Sequence, residues 1–283
     1  MKIDKNLLTE FVARYPAQPA TAFWRGIEID VLAQANIPQG LGLDLGCGDG
    51  ILTDILFKRM GRTPQLVGID PDPLETAAAA NYDFYKRIHT VGGDAIPEPD
   101  ATFDYVISNS VLEHIPDLES VIREVGRVLK PGGRFYYTVP CPGFHTNLSG
   151  ALSPFTSRSD YLSRLDKRLA HFNYLTARDW KDLCGRYGME VDSVTGYLGE
   201  KATKRWETLS RMTGGLLHAL SGGNRRPIEI QRLLKLRDLQ NSGSFPEPLA
   251  VVLSSAIGVN LHGRDDAESP SCLLVSGRRH CAS

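Results

Sequence analysis

Leu41-Gly42-Leu43-Asp44-Leu45-Gly46-Cys47-Gly48-Asp49-Gly50 decides the fold. An apolar run collapses there into three alternating glycines and leads directly into a helical pattern, so the stretch reads as a strand, a tight turn and a helix start. Glycine has no Cβ to hold a ligand off the main chain. Gly46 and Gly48 therefore let the backbone approach a nucleoside cofactor at the carboxyl end of the first strand. A dinucleotide fingerprint G-x-G-x-x-G would need glycine at position 51, where the chain has Ile51, and no Gly-Lys-Ser/Thr follows to build a phosphate loop. Downstream, Leu66-Val67-Gly68-Ile69-Asp70 is a short apolar strand closing on an acid, about 20 residues past the turn, the separation at which a carboxylate meets ribose hydroxyls.

Outward from this stretch, strand-like runs at 41–45, 66–70, 87–91, 103–109 and 134–139 alternate with helical intervals. That alternation implies a parallel sheet with helices on both faces. Upstream, two helical patterns, one on Leu7, Leu8, Phe11 and Val12 and one on Phe23, Ile27, Val31 and Leu32, are separated by Pro16-Ala17-Gln18-Pro19. Residues 141–173 contain Pro142, Gly143, Gly150 and Pro154 without a clear period and read as a long loop or lid. A helix at 176–187, opened by Thr176, leads to a strand at 189–197. The next strand-like run is Cys272-Leu273-Leu274-Val275-Ser276. Between them lie a helical pattern on Trp206, Leu209, Leu216, Leu217 and Leu220, another on Ile230, Leu233, Leu234 and Leu239, and the apolar stretch Leu249-Ala250-Val251-Val252-Leu253.

Five segments in this order resemble the class I S-adenosylmethionine-dependent methyltransferases of small molecules. They are Leu43 to Gly50; Asp70 with Pro71; Gly93-Asp94-Ala95; Phe103 to Ile115, which contains Ser108-Asn109 and Glu113-His114; and Arg127-Val128-Leu129-Lys130-Pro131-Gly132-Gly133-Arg134. The resemblance implies an α/β fold, a Rossmann-like, doubly wound, mostly parallel seven-stranded sheet with an antiparallel last strand. The expected division is an N-terminal helical cap (1–40), a methyltransferase core (41–199 and 272–283), and a helical insertion subdomain (200–271) between strands 6 and 7.

The resemblance also implies S-adenosyl-L-methionine as cofactor. Gly46, Cys47 and Gly48 would pass its methionine part, Asp44 would orient the ammonium, and a carbonyl near Ser108 or Asn109 would accept from it. Asp70 would take the ribose hydroxyls, Pro71 would lie against adenine, and Asp94 and the Ala95 amide would meet the adenine edge. Turn and cap chemistry is the plainer account of Asp44 and Asp94. Pro131-Gly132-Gly133 reads as a turn feeding the fifth strand, without a cofactor contact.

Methyl transfer to an alcohol gains from a group that takes its proton, and histidine is the usual choice. His114 follows the fourth strand, His145 the fifth, and His171 precedes Phe172-Asn173-Tyr174-Leu175-Thr176, so these three are the candidate catalytic residues. His89 lies within a strand pattern and reads as packed. Phe11, Tyr15, Phe23 and Trp24 would either floor an acceptor pocket or belong to a core stripe.

The chain has 283 residues, 42% of them hydrophobic, and a formal net charge of −1. One large α/β core fits that length, and the charge offers no general attraction to nucleic acid. Enzymes that methylate base amines resemble one another in an Asp/Asn-Pro-Pro-aromatic run, where this chain has Asn109-Ser110-Val111-Leu112. Five cysteines without C-x-x-C spacing suggest neither a disulfide framework nor a zinc site, and no metal is expected. The N-terminal residues lack a signal-peptide pattern, and the expected location is the cytoplasm. The expected function is methylation of a small-molecule acceptor, most directly O-methylation of a glycan or natural-product intermediate. Alternatives are N- or C-methylation, a lipid-linked acceptor reached by peripheral membrane contact through 200–271, and a non-catalytic adenosylmethionine-binding scaffold.

Overall fold

The computed structural model describes residues 4–15, 18–215, 246–257 and 269–281. Two compact units emerge: Val31–Pro142, Phe172–Thr195 and Cys272–Ser283 form one, and Met1–Asp30, Gly143–His171 and Gly196–Ser271 the other.

The first unit is built on the expected sheet. β1 (Leu41–Leu45), β2 (Gln65–Ile69), β3 (Tyr85–His89), β4 (Phe103–Asn109), β5 (Leu129–Pro140), β6 (Met189–Tyr197) and β7 (Cys272–Arg279) lie in the order β3-β2-β1-β4-β5-β7-β6. β1 pairs in parallel with both β2 and β4, whereas β7 runs antiparallel to β5, from Arg134 opposite Arg278 to Pro140 opposite Cys272. The strand order reverses beside β1, and in open α/β sheets the crevice for a ligand opens at the carboxyl ends of the strands at such a reversal.

Helices α3 (Ile51–Arg59), α4 (Pro73–Ala79), α5 (Leu118–Val128) and α8 (Ala177–Arg186) belong to this unit. In α5, Leu118, Val121, Ile122 and Val125 fall at helical spacing and are buried with Leu43, Val67, Val106, Phe135 and Tyr137 of the strands. Helix α8 begins where expected. Thr176 accepts from the Asp179 amide while the Asp179 carboxylate accepts from the Thr176 amide, a reciprocal cap that satisfies two otherwise orphaned donors.

The second unit is helical, with α1 (Lys5–Arg14), the first part of α2 (Pro19–Leu32), α6 (Gly143–Asn147), α7 (Arg158–Leu169), α9 (Glu200–Ser210) and α10 (Glu247–Ile257). The loop expected at 141–173 is largely these two helices, α6 and α7. Its sequence hid α7 because Leu165 is the helix's one buried residue, leaving no apolar stripe to read. Trp24, Phe144 and Trp206 pack edge to face at 5.3–5.6 Å between ring centres. Phe11, Tyr15, Phe23 and Trp24 are buried, which makes them core. The apolar stretch at 249–253 is helical, and Ser254 of α10 shares a 2.7 Å hydrogen bond with Thr9 of α1. The expected helical positions Leu216, Leu217, Leu220, Ile230, Leu233, Leu234 and Leu239 lie outside the described residues.

Candidate active site

The glycine turn folds back on the end of β2. Amides of Gly46 and Cys47 both donate to the Ile69 carbonyl, at 2.8 and 3.0 Å, and the Gly50 amide donates to the Cys47 carbonyl at 3.1 Å. Gly46, Gly48 and Gly50 have φ of +78°, +53° and +81°. This left-handed region is one that side chains other than glycine, asparagine and aspartate enter at a cost. The first two glycines differ in surroundings. A Cβ on Gly46 would come within 2.4 Å of the Val111 side chain, whereas a Cβ on Gly48 would meet nothing nearer than the Glu75 carboxylate at 3.9 Å. Gly46 is thus required by packing, and Gly48 borders open space.

Asp70 sits one residue past β2. One of its carboxylate oxygens accepts from the Gly48 amide at 3.1 Å and the other from the Asp72 amide at 2.9 Å, so the side chain is locked to the glycine turn on one side and to the start of α4 on the other. Asp44, the fourth residue of β1, is buried. Its Oδ2 accepts two short hydrogen bonds, from the Thr53 hydroxyl of α3 at 2.6 Å and from the Tyr85 hydroxyl of β3 at 2.5 Å. Burial pushes its carboxyl up to about 6, against the two hydroxyl donors, and the charge of Asp70 adds to the rise. Asp49 and Glu75 are also buried. A buried carboxylate such as that of Asp44 is costly unless a cation joins it, and S-adenosylmethionine, with an ammonium and a sulfonium, has that charge.

The other predicted cofactor residues flank this cradle on the strand ends of the same unit. Ser108 is fully buried and its hydroxyl donates to the Leu45 carbonyl at 3.0 Å, tying β4 to the end of β1. Asn109 accepts from the Thr138 hydroxyl. Pro71, Asp94 and Ala95 are exposed, the first after β2 and the other two after β3. The chain from 96 to 100, which follows Asp94 and Ala95, is held by Arg127. All five guanidinium N–H groups are engaged: with the Ile96 and Glu98 carbonyls, the Asp100 carboxylate and both oxygens of Glu124. Glu124 also accepts from the Ile96 amide.

The three candidate histidines are placed differently. His114 lies in a short 3-10 turn (Leu112–His114) of the sheet unit, its Nε2 3.9 Å from the Glu113 carboxylate. His145 and His171 belong to the helical unit, with ring centres 6.1 Å from that of Phe144 in both cases. The His145 Nε2 is within 2.9 Å of the Asp166 carboxylate. His89 is tied into β3 through Glu98, 2.8 Å away, a carboxylate shared with Arg87. The sequence does not mark Thr53, Tyr85 or Arg127 as residues of this region. Arg127 opens the run Arg127 to Arg134, but nothing in the sequence links Tyr85 to Asp44, 41 residues earlier.

Comparison with known proteins agrees with this geometry. Residues 23–194 match the family model described as a methyltransferase domain. Demethylmenaquinone methyltransferase of Bacillus licheniformis is 35% identical over 39% of this chain and 48% of its own length. The 2-phytyl-1,4-naphtoquinone methyltransferase of Thermosynechococcus vestitus is 38% identical over 39% and 50%. The chain therefore spans about half the length of these relatives. Ubiquinone biosynthesis O-methyltransferase of Xanthomonas oryzae pv. oryzae is 25% identical over 64% of this chain and 75% of its own. Among solved structures, the putative methyltransferase in complex with the Haloferax volcanii Trm112 activator has a TM-score of 0.55 at 15% identity, covering 96% of this chain and 97% of that one. The [4+2]-cyclase SpnF has a TM-score of 0.54 at 16% identity, covering 90% and 80%. At such identity these two speak for the fold alone, and the cyclase illustrates that one fold hosts different chemistries. With its glycine turn, its acidic cradle and a family match across most of the sheet, the chain belongs to the methyltransferase-domain family, the class I enzymes that depend on S-adenosylmethionine.

Proposed function

We propose that this protein transfers a methyl group from S-adenosylmethionine to oxygen on a small-molecule acceptor with a quinone-type ring. The observation that carries the cofactor half is the buried acidic cradle around the open side of Gly48. In this reading Asp44 receives the ammonium, Gly46, Cys47 and Gly48 line the methionine part together with the strand end at Ser108 and Asn109, and Asp70 holds the ribose. Pro71, Asp94 and Ala95 frame the adenine. When bound, the cofactor supplies an electrophilic methyl on a sulfonium. The chain's own task is then to hold that cation, exclude water and receive the acceptor's proton. His114, His145 and His171 are the candidates for the proton, and Asp166 fixes the ring of His145.

The acceptor half rests on the relatives' names, which move the glycan or natural-product intermediate expected from sequence towards a quinone precursor. Purified protein with S-adenosylmethionine and a panel of hydroxylated quinone precursors should yield a product heavier by one CH2 in mass spectrometry, a methyl having replaced the hydroxyl proton. Glutamine at His114 or at His145 should lower that turnover at least about tenfold for one of the two. Cofactor binding without product from any quinone precursor would overturn the acceptor assignment and favour a glycan, a lipid-linked acceptor or a binding scaffold.

A further inference from the structure

Asp44 is held in an asymmetric way. Both hydroxyl donors, Thr53 and Tyr85, address the same oxygen, Oδ2, and Oδ1 carries no hydrogen bond among the described residues. Tyr85 reaches it from two strands away, because β2 lies between β1 and β3. The ring crosses β2 over Gly68, the residue paired with Asp44 across the β1–β2 ladder. A Cβ on Gly68 would stand 3.1–3.2 Å from two atoms of the Tyr85 ring and 3.0 Å from the Cys47 sulfur. Glycine at that strand position is therefore what lets the tyrosine through. Tyr85 also packs against Phe84, and a Cβ on Gly50 would approach both Tyr85 and Tyr82, so the ring lies against the glycine turn as well as the strand.

We propose that Tyr85 is a positioning residue for the cofactor's amino acid end: with Thr53 it fixes Oδ2 of Asp44, which turns Oδ1 towards the ligand and keeps the carboxyl able to carry charge in a buried place. This rests on the cofactor reading above and extends it to a side chain that does not itself touch the ligand. The physical need is clear from the surroundings. The charged and titratable groups that interact with Asp44 are Asp70 after β2, the Cys47 thiol in the turn, Tyr85 on β3 and Tyr105 on β4. None brings positive charge, so the two hydroxyls are the groups that oppose the burial of the anion. Removing one raises the pH at which Asp44 becomes neutral, and a neutral carboxyl holds an ammonium poorly.

Calorimetry with two ligands separates this role from a general structural one. S-adenosylhomocysteine carries the amino acid end, and methylthioadenosine shares the nucleoside but lacks the ammonium. Tyr85→Phe should weaken S-adenosylhomocysteine by about tenfold, the worth of one hydrogen bond to a charged group, and leave methylthioadenosine at wild-type affinity. The lower pH limit of S-adenosylhomocysteine binding should also move upward. Thr53→Val, which removes the other donor from a different element, should show the same split if Tyr85→Phe proves poorly folded. Equal losses for both ligands, or no loss for either, would overturn the proposal. If the folded wild-type protein bound neither ligand, the cofactor reading itself would fall, a result distinct from an unselective Tyr85→Phe.

Discussion

At the residue scale, Asp44 carries a cost in stability that its ionised form imposes on the fold. Its folded carboxyl is raised from 3.8 to about 6. Because the neutral form is the one the fold prefers, stability is fullest below about pH 4 and is lost as pH rises through about 6. The span corresponds to about 3 kcal/mol as an order of magnitude. Asp44→Asn should therefore melt higher than wild type at pH 7.5 without cofactor, the gap closing as the pH is lowered to 4, and should bind S-adenosylhomocysteine poorly. A variant that melts lower at every pH would show that the hydroxyl pair needs the carboxylate more than the burial penalises it. The two loop glycines should also part company. Gly46→Ala forces the Val111 side chain aside and should lower the melting temperature clearly, whereas Gly48→Ala meets open space and should cost only the left-handed strain of about 1 kcal/mol while weakening cofactor binding. Asp70→Ala should lose roughly ten- to hundredfold in cofactor affinity. Wild-type affinity in a folded Asp70→Ala protein would remove Asp70 from the site.

At the scale of elements, Arg127 gives its motif a structural role. It lies in the last turn of α5, and its five donors hold the Ile96 and Glu98 carbonyls and the Asp100 carboxylate of the chain after Asp94 and Ala95, together with Glu124 of α5 itself. Arg127→Leu takes this donor from the part-buried Ile96 and Glu98 carbonyls, and a buried acceptor left without a partner costs about 1–3 kcal/mol. The measurable outcome is faster hydrogen exchange of the Ile96 and Glu98 amides together with a lower melting temperature. Unchanged exchange there would mean that Glu124 alone suffices. Elements with strong local signals were legible in advance. The Thr176 cap marked the start of α8, and the apolar runs marked β1, β2 and β4 within a residue. Two classes of element were not. Helix α7 is charged nearly all round, and the start of β5 coincides with Pro131-Gly132-Gly133, residues that signal a turn even though the strand runs from Leu129.

At the scale of the whole molecule, the segment between β6 and β7 is where this chain departs most from the plan its motifs suggest. Its described parts are helical, with Ala202, Trp206 and Glu207 of α9 and Ala250, Ser254 and Ile257 of α10 buried in the helical unit. Hydrogen exchange without lipid should show protection across 202–210 and 250–257, and rapid exchange in both would mean that these helices do not persist in solution. No helix among the described residues is long and apolar enough to cross a membrane. The sequence by itself determined the sheet, the glycine turn, the order of the acidic positions and the family, because these depend on short-range patterns: apolar periodicity, backbone freedom at glycine, and spacing along one chain. Only the tertiary structure decided which groups share a proton or a charge. Tyr85 meets Asp44 because β3 and β1 flank β2 at Gly68, and Arg127 meets the 96–100 chain because α5 folds back along it. Such contacts depend on strand order and side-chain direction in space, which local sequence does not encode.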